Sequence, residues 1–464
     1  MKLSRYVGDR RFYRLALSVA VPIMIQNGIT NFVSMLDNIM VGRLGTVEMT
    51  GVSIGNSLVF VFNLAVFGAV SGAGIFGAQF FGRGDMAGVR YAFRYKVLEG
   101  LILLALGFGI FLGFGKTLIR LFLQGEGDVA DIEGSLHFGW RYVKIMLIGL
   151  PAFVLVQCYA GSLRETGQTV LPMTAGLIAV AVNFVFNWLL IFGKLGFPRL
   201  GSDGAAIATV LSRYVEAGIV MITTHRRADE FPFIRGAWRS LRIPRKLAVE
   251  ITKKGMPLIF NETLWALGQT LLVQSYSIRG YDVVSATNIA FTLGNVFSVS
   301  FMAMGNAIGI LVGQQLGAGE IERAKQTDSR LIAFSLAISV VFGSMMAVAS
   351  RFFPQIYNTE ASVRGLAAAF ILINACLMPI HAYSNAAYFT LRSGGKTYVT
   401  FLFDSFFSCA VVAPTAYCLS RFTNLPIIPL FACCQGVELV KCVIGFFMIR
   451  SGIWIQNIVK DTTT

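Results

Sequence analysis

Stretches of about twenty mostly apolar residues follow one another along this chain, and no other feature constrains its fold as strongly. They begin near Leu15, Thr50, Val97, Arg141, Leu171, Ala205, Gly255, Ser285, Leu331, Leu366, Tyr398 and Pro426. Hydrocarbon holds no water to satisfy backbone N–H and C=O groups, so a segment of this kind must pair them internally. At this length the solution is an α-helix that crosses a bilayer. Composition agrees, with 55% of the 464 residues hydrophobic and 14% charged, against about 25% charged in soluble domains. A string of soluble domains is excluded. Met1 to Arg14 is basic and runs directly into the first span, so no cleaved leader is expected and the first helix is its own insertion signal.

The placement of charge orients the helices. A formal net charge of +15 would suit a nucleic-acid partner if it were gathered on one face. Here the Lys and Arg lie in short loops between apolar runs, weighted to alternate loops. The N-terminal tail, Arg83 to Lys96, Arg164, Arg226 to Lys254, Arg323 to Arg330, Arg392 with Lys396, and the C-terminal tail hold 26 of the 39. The opposite loops, from Arg43 to Arg421, hold 11, while Arg213 and Lys441 fall inside spans. The positive-inside rule then places both termini in the cytoplasm of a multi-pass protein of the plasma (inner) membrane. The acidic stretch Glu126, Asp128, Asp131 and Glu133 becomes an external loop. The seven cysteines lie in apolar stretches without metal-ligand spacing and read as packed thiols.

The expected organisation is all-α, with twelve transmembrane helices in two pseudo-symmetric six-helix bundles. Residues 1–14 form a tail, 15–224 an N-lobe, 225–254 a basic connector, 255–450 a C-lobe and 451–464 a second tail. The lobes repeat one another. At one ungapped offset Pro22 falls on Pro257, Gly45 on Gly280, Ile54 on Ile289, Gly74 on Gly309, Gln79 on Gln314 and Gly82 on Gly317. At a second offset Pro151 falls on Pro379, and Leu163 and Arg164 fall on Leu391 and Arg392, ahead of Gly167 and Gly395. Gly and Pro at matched positions report the same backbone bends twice. Two parallel bundles imply a pseudo-two-fold axis along the membrane normal, about which transporters rock one half against the other. Channels also duplicate, but no re-entrant, filter-like segment interrupts these runs.

Particular residues now resemble a known family. The run from Asp37 through Met40, Val41 and Gly42 to Leu44 and Gly45 resembles the D-x-x-MVG-x-LG motif of the multidrug and toxic compound extrusion (MATE) transporters. Gly77 to Gly82 and Gly313 to Gly319 are similar to that family's paired loops after spans two and eight. Leu163 to Thr169 and Leu391 to Thr397 resemble its LRG-x-x-x-T loops, and Gly204 to Thr209 its span-six signature. The resemblance covers both lobes. It implies an antiporter that exports small organic, cationic or amphiphilic compounds by alternating access, in exchange for Na⁺ or H⁺. No enzyme activity and no cofactor beyond the coupling ion are expected. Partners are small-molecule substrates and membrane lipids, not nucleic acid, and each chain holds a complete pathway, a monomeric transport unit.

A carboxylate in hydrocarbon is expensive and therefore a functional candidate. Asp37 is the foremost one, on a span that Pro22 interrupts. Asn183 and Asn187 stand four apart on span five, hence on one face, and Thr209 on span six supplies a hydroxyl. Oxygen donors of this kind suit a hard cation, and a proton on Asp37 would neutralise the site as well as Na⁺ does. The resemblance assigns Asp37, Asn183, Asn187 and Thr209 to a cation site of the N-lobe. Relatives often carry Asp where Asn187 stands, and the amide leaves room for H⁺. Asn183 and Asn187 could instead only bond between helices.

The C-lobe offers Glu262, Trp265, His381, Asn385 and Asp404 as a second ion or substrate site, with Pro257 as the counterpart of the Pro22 hinge. His381 could titrate near neutrality or serve structurally. Arg213 with Glu216, Glu438 with Lys441, and Lys96 with Glu99 stand three apart and are expected to pair along their helices, the last near the cytoplasmic boundary. There is no G-x-x-x-x-G-K-[ST] loop for ATP and no H-E-x-x-H, and the three His are dispersed. The alternative within the same superfamily is a flippase for lipid-linked saccharides or lipid precursors, which lines its cavity with several Arg or Lys to hold phosphates.

Overall fold

The computed structural model describes residues 6–42, 45–123, 129–357 and 359–460, and for 33–39, 42, 46, 129 and 281 the backbone alone. Among the described residues every long element is a helix: α1 Arg10–Gly42, α2 Thr46–Gly82, α3 Met86–Phe122, α4 Val129–Glu165, α5 Val170–Phe192 and α6 Ser202–Arg226. After the connector come α7 Arg245–Ser277, α8 Tyr281–Gly317, α9 Ile321–Ala349 and α10 Ala361–Ser393. The last two are α11 Thr397–Phe422 and α12 Ile427–Ser451. The spacing that carries Pro22 to Pro257 also carries both ends of α1 to those of α7 and both ends of α2 to those of α8. The repeat is thus a repeat of helix boundaries.

Eleven of these helices are long and apolar enough to cross a membrane. The exception to the expected twelve is α7, which carries Lys246, Glu250, Lys253 and Lys254 in its first turns and Asn261 and Glu262 midway. Its length equals that of α1 at 33 residues, so the shortfall is one of polarity, not of reach. Both α1 and α7 run unbroken through Pro22 and Pro257.

The chain divides into two compact units. One comprises Ile25–Gly77 and Met86–Ala248. In it α4 packs on α3 and α6, and α5 packs on α6. The connector folds back onto its own unit. The Arg94 guanidinium donates to the carbonyls of Ala237 at 2.9 Å and Gly236 at 2.8 Å, and Arg90 donates to that of Phe233 at 3.2 Å. Trp238 Nε1 donates to the Tyr159 hydroxyl at 2.8 Å, which lies 3.0 Å from His225 Nε2. The connector carbonyls thus find guanidinium donors where no helix supplies any.

The same unit corrects one expectation. Lys96 does not pair with Glu99 near a boundary. It is fully buried and reaches across to α4, where Nζ donates to both Glu165 carboxylate oxygens at 2.6 Å and to Ser162 Oγ at 3.0 Å. Glycines make the room: a Cβ on Gly74 or Gly77 would run into the Glu165 carboxylate. A buried ammonium needs a counter-charge more than a local neighbour, and Glu165 delivers both oxygens where Glu99 delivers none.

The other unit comprises Met1–Met24, Ala78–Asp85 and Val249–Thr464. Its centre is α10, which packs on α8, α9 and α12. One apolar core joins Ala16, Val19, Ala20 and Ile23 of α1 to Ala303, Ile308 and Leu311 of α8 and to Leu331 of α9. A second joins Tyr276, Phe370 and Phe431, with the last two rings stacked at 4.2 Å. The last turn of α2 meets the last turn of α8 without side chains between them, because a Cβ on Gly82 would strike the Gln314 backbone and one on Gly317 the Gln79 backbone. Beyond α12 the chain continues as a strap. Trp454 and Val459 are buried, Gln79 Nε2 donates to Ser393 O at 3.0 Å and Gln456 O at 3.1 Å, and Arg83 donates to Val459 O at 2.7 Å.

Candidate functional site

The first polar cluster lies between α5 and α6. Helix α6 carries Gly204, Ala205 and Ala206 just after its start, and a Cβ on Gly204 would meet the Leu190 backbone at 2.7 Å. Small residues therefore bring α6 close enough for side chains of α5 to reach it. Asn183 Nδ2 donates to Thr209 Oγ1 at 3.2 Å, and Asn187 Nδ2 donates to Asn183 Oδ1 at 3.1 Å. Thr209 Oγ1 in turn donates to Ala205 O at 3.0 Å. Asn183 and Asn187 are buried. The four-residue spacing thus puts both amides on one face, as expected, and the face meets Thr209. Asp37 belongs to α1 by its backbone, and its side chain lies outside the described residues. The donor set of the other three is all amide and hydroxyl oxygen, which fits a hard monovalent cation better than a transition metal.

The second cluster sits between α7, α10, α11 and α12. Helix α11 contains two π-helical turns, Leu402–Phe406 and Ser408–Val412. Such widening often marks functional positions, and Asp404 stands in the first of them. Lys441 Nζ donates to Asp404 Oδ1 at 2.7 Å and lies 3.7 Å from Glu438. Asn261 Nδ2 donates to Asp404 Oδ2 at 3.1 Å and approaches the Tyr388 hydroxyl at 3.4 Å. Tyr388 donates to Glu262 Oε1 at 3.3 Å, and Ser384 to Glu438 at 3.2 Å. Ser405 fixes Asn261 by donating to its side-chain oxygen at 2.8 Å. Three carboxylates and one ammonium thus share a single network of hydrogen bonds and ion pairs.

Of the residues expected here, Glu262 and Asp404 belong to this network. Trp265, His381 and Asn385 are half-buried and make no hydrogen bond or ion pair with it among the described residues. Arg213 and Glu216 pair at 3.2 Å as their spacing suggests. A cavity of about 240 Å³ beside the connector is lined by His225, Ile234 and Trp238 and includes no residue of either cluster.

The MatE family profile matches residues 22–189 and again 257–418. The chain belongs to the MatE family. The two matches open at Pro22 and Pro257, the same prolines that set the internal repeat. Among curated relatives, the probable multidrug resistance protein YoeA of Bacillus subtilis is 25% identical over 88% of this chain and 87% of its own. The probable multidrug resistance protein NorM of Thermotoga maritima is 25% identical over 94% and 92%. The outward-facing conformation of a multidrug resistance MATE family transporter of the MOP superfamily superposes with a TM-score of 0.83 at 18% identity, over 97% of both chains. At that identity the likeness speaks to the fold. This MatE chain is a multi-pass membrane protein.

Sequence reasoning missed Asn261 and Tyr388; it paired Lys441 with Glu438, which lies at 3.7 Å, and missed the closer Asp404 at 2.7 Å. Helical spacing points to Glu438, whereas Asp404 arrives from another helix. A signal for Asn261 was present, since it adjoins Glu262 at the polar middle of α7.

Proposed function

We propose that this MatE chain is a secondary active antiporter that exports small organic, cationic or amphiphilic compounds in exchange for Na⁺ or H⁺, by alternating access. The observation that carries the reading is a pair of polar clusters set among mostly apolar helices, one in each unit of a chain the family profile matches twice. A buried polar network is costly to maintain in a membrane interior and is kept where ions or substrates pass. In the first cluster Asp37 would supply the carboxylate, with Asn183, Asn187 and Thr209 as neutral oxygen donors. One positive charge on Asp37, whether Na⁺ or H⁺, neutralises that set, so the same residues serve either ion. Pro22 lacks the backbone N–H that would stiffen α1 and gives the helix a hinge on which ion binding can act, with Pro257 in the matching place on α7. In the second cluster Glu262 and Asp404 would bind a cationic substrate or a second ion.

The interior cations bear on the flippase alternative. Arg213 has Glu216, and Lys441 has both Asp404 and Glu438. Cations already matched to carboxylates attract a lipid phosphate weakly, which favours cationic or neutral cargo.

The test is efflux of a fluorescent organic cation from proteoliposomes under separately imposed Na⁺ and pH gradients. One gradient is expected to drive transport in the wild type, and Asp37→Asn is expected to abolish that drive. Transport indifferent to both gradients, or unchanged in Asp37→Asn, would overturn the reading.

A further inference from the structure

Asp328 lies two turns into α9 and belongs to neither cluster. It is 1% exposed, among Leu331, Ala386 and Leu391, which are at most 1% exposed themselves. Its bonded partner among the described residues is Thr390 of α10, with Oγ1 at 2.5 Å from Asp328 Oδ1. The same hydroxyl stands 3.0 Å from Ala386 O. A threonine hydroxyl has one proton, and two acceptors compete for it. If Thr390 donates to Asp328, the bond to Ala386 O is lost and an anion sits in an apolar core with one hydrogen bond. If Thr390 donates to Ala386 O, the contact with Asp328 survives only when the carboxyl itself carries a proton and donates it. The second arrangement satisfies both contacts and leaves no buried net charge.

Among the described residues no counter-charge offers another way out. On α9, Arg323 pairs with Glu320 and Lys325 with Glu322, while the Arg330 guanidinium lies over the Phe12 ring at 5.8 Å. On α10, Arg392 lies over Tyr388 and Phe389, and the remaining titratable groups near this level are the phenols of Tyr383 and Tyr388. Helix α8 has no ionisable side chain beyond Tyr281 and Asp282 at its far end. From α1, the Tyr13 ring packs on Phe334, and on α12 Lys441 is engaged by Asp404. Among the described residues Asp328 forms no ion pair. The internal repeat sharpens the point. Thr390 aligns with Ser162, the serine bonded to Lys96, and Asp328 aligns one helical turn before Lys96. In the other unit Lys96 is neutralised by Glu165; here, among the described residues, Asp328 is given no such partner.

We propose that Asp328 is a proton-binding site of the C-terminal unit, its carboxylic acid donating to Thr390 across the α9–α10 packing. The occupant is a proton and not a metal ion, because a metal would have to enter between two oxygens already in hydrogen-bond contact. Any use of this proton in coupling rests on the antiport reading, but the site itself does not.

The experiment is infrared difference spectroscopy of the purified full chain in lipid, with hydrogen–deuterium exchange to mark acid carbonyl bands. At neutral pH the wild type is expected to show the C=O band of a buried protonated carboxyl that Asp328→Asn lacks. Thr390→Val is expected to move that band to higher frequency, by removing its hydrogen-bond acceptor, and it supplies the readout if Asp328→Asn does not fold. A spectrum unchanged in Asp328→Asn, or a band unmoved in Thr390→Val, would overturn the proposal. Neither readout involves transport, so failure of the antiport reading leaves it standing. In proteoliposomes, Asp328→Asn is further expected to shift the pH profile of efflux, whereas a purely structural aspartate would lower the rate at every pH alike.

Discussion

In the N-terminal unit a fully buried lysine finds its counter-charge on the next helix; in the C-terminal unit the nearly aligned place holds a carboxyl whose partner among the described residues is a hydroxyl. The two halves of the sequence repeat the boundaries of α1 in α7 and of α2 in α8, and they carry matched prolines at Pro22 and Pro257 and at Pro151 and Pro379, so much of the backbone frame is shared. The difference teaches that duplication preserved the parts of the sequence that bend and pack the chain, the Gly and Pro, and let the buried polar groups diverge. The polar clusters diverge likewise. On α5 and α6 the described donors are amides and a hydroxyl, whereas on α11 and α12 two carboxylates pair with Lys441 and a third, Glu262 of α7, joins through Tyr388. On the proposed antiport reading these unlike clusters would be two chemically distinct places to bind charge, and the comparison can be broken by experiment at each.

The largest effect is expected where charge is matched most tightly. Lys96→Met keeps the length of the side chain and strands Glu165 in a site built for an ion pair. Breaking a buried pair costs about 3–5 kcal/mol, enough to remove most folded protein from detergent extracts. Lys96→Met with Glu165→Gln should recover much of that loss, since two neutral groups replace two charges. Thermal melts by tryptophan fluorescence would check both, and a single variant as stable as the wild type would erase the contrast between the units.

A smaller loss is expected at Lys441, because Asp404 and Glu438 are each about one-sixth exposed, at 17%, and some water screens them. Lys441→Met should cost about 2 kcal/mol, below the range for a sealed pair. Glu438→Gln should cost well under half of that, as the longer of the two contacts. If Glu438→Gln proved the more damaging, the helical i,i+3 pairing would be the principal one after all, and the link to α11 secondary.

How much of this was legible follows from the range of each interaction. Helix positions, the repeat and the shared face of Asn183 and Asn187 are local or periodic, and the sequence carries them openly. The pairing of Lys96 with Glu165 joins α3 to α4, and that of Lys441 with Asp404 joins α12 to α11. No spacing rule reaches such pairs: the nearest acid along the helix was the wrong guide for Lys96, and for Lys441 it gave Glu438, a true partner, but not Asp404. Asn261 hid beside a more conspicuous glutamate. The strap that buries Trp454 was hidden for a different reason: a short apolar tail after a span looks the same whether it docks or not.

Asn187→Leu tests the amide cluster at lower amplitude. Replacing one hydrogen-bonded amide by an apolar group of similar volume should change stability by about 1 kcal/mol. Gradient-driven efflux should fall about tenfold if the lost oxygen donor is worth about 1.4 kcal/mol to the ion-bound state. Initial rates at saturating gradient would check it. Lost stability with unaltered coupling would reduce Asn187 to an interhelical bond and leave the carboxylate cluster as the principal charge site.

The smallest stability effect is expected at Asp328, and its smallness is informative. An ionised carboxylate left unpaired in that core would cost several kcal/mol, so a neutral asparagine would then raise the melting temperature markedly. A protonated acid already donates to Thr390, and the asparagine amide can do the same with similar shape. Asp328→Asn should therefore melt close to the wild type, within about 0.5 kcal/mol, in sharp contrast to Lys96→Met. A large stabilisation would mean that the wild type holds a charge there. A large destabilisation would mean that the carboxylate has a cationic partner, and the two units would then be alike in how they bury charge.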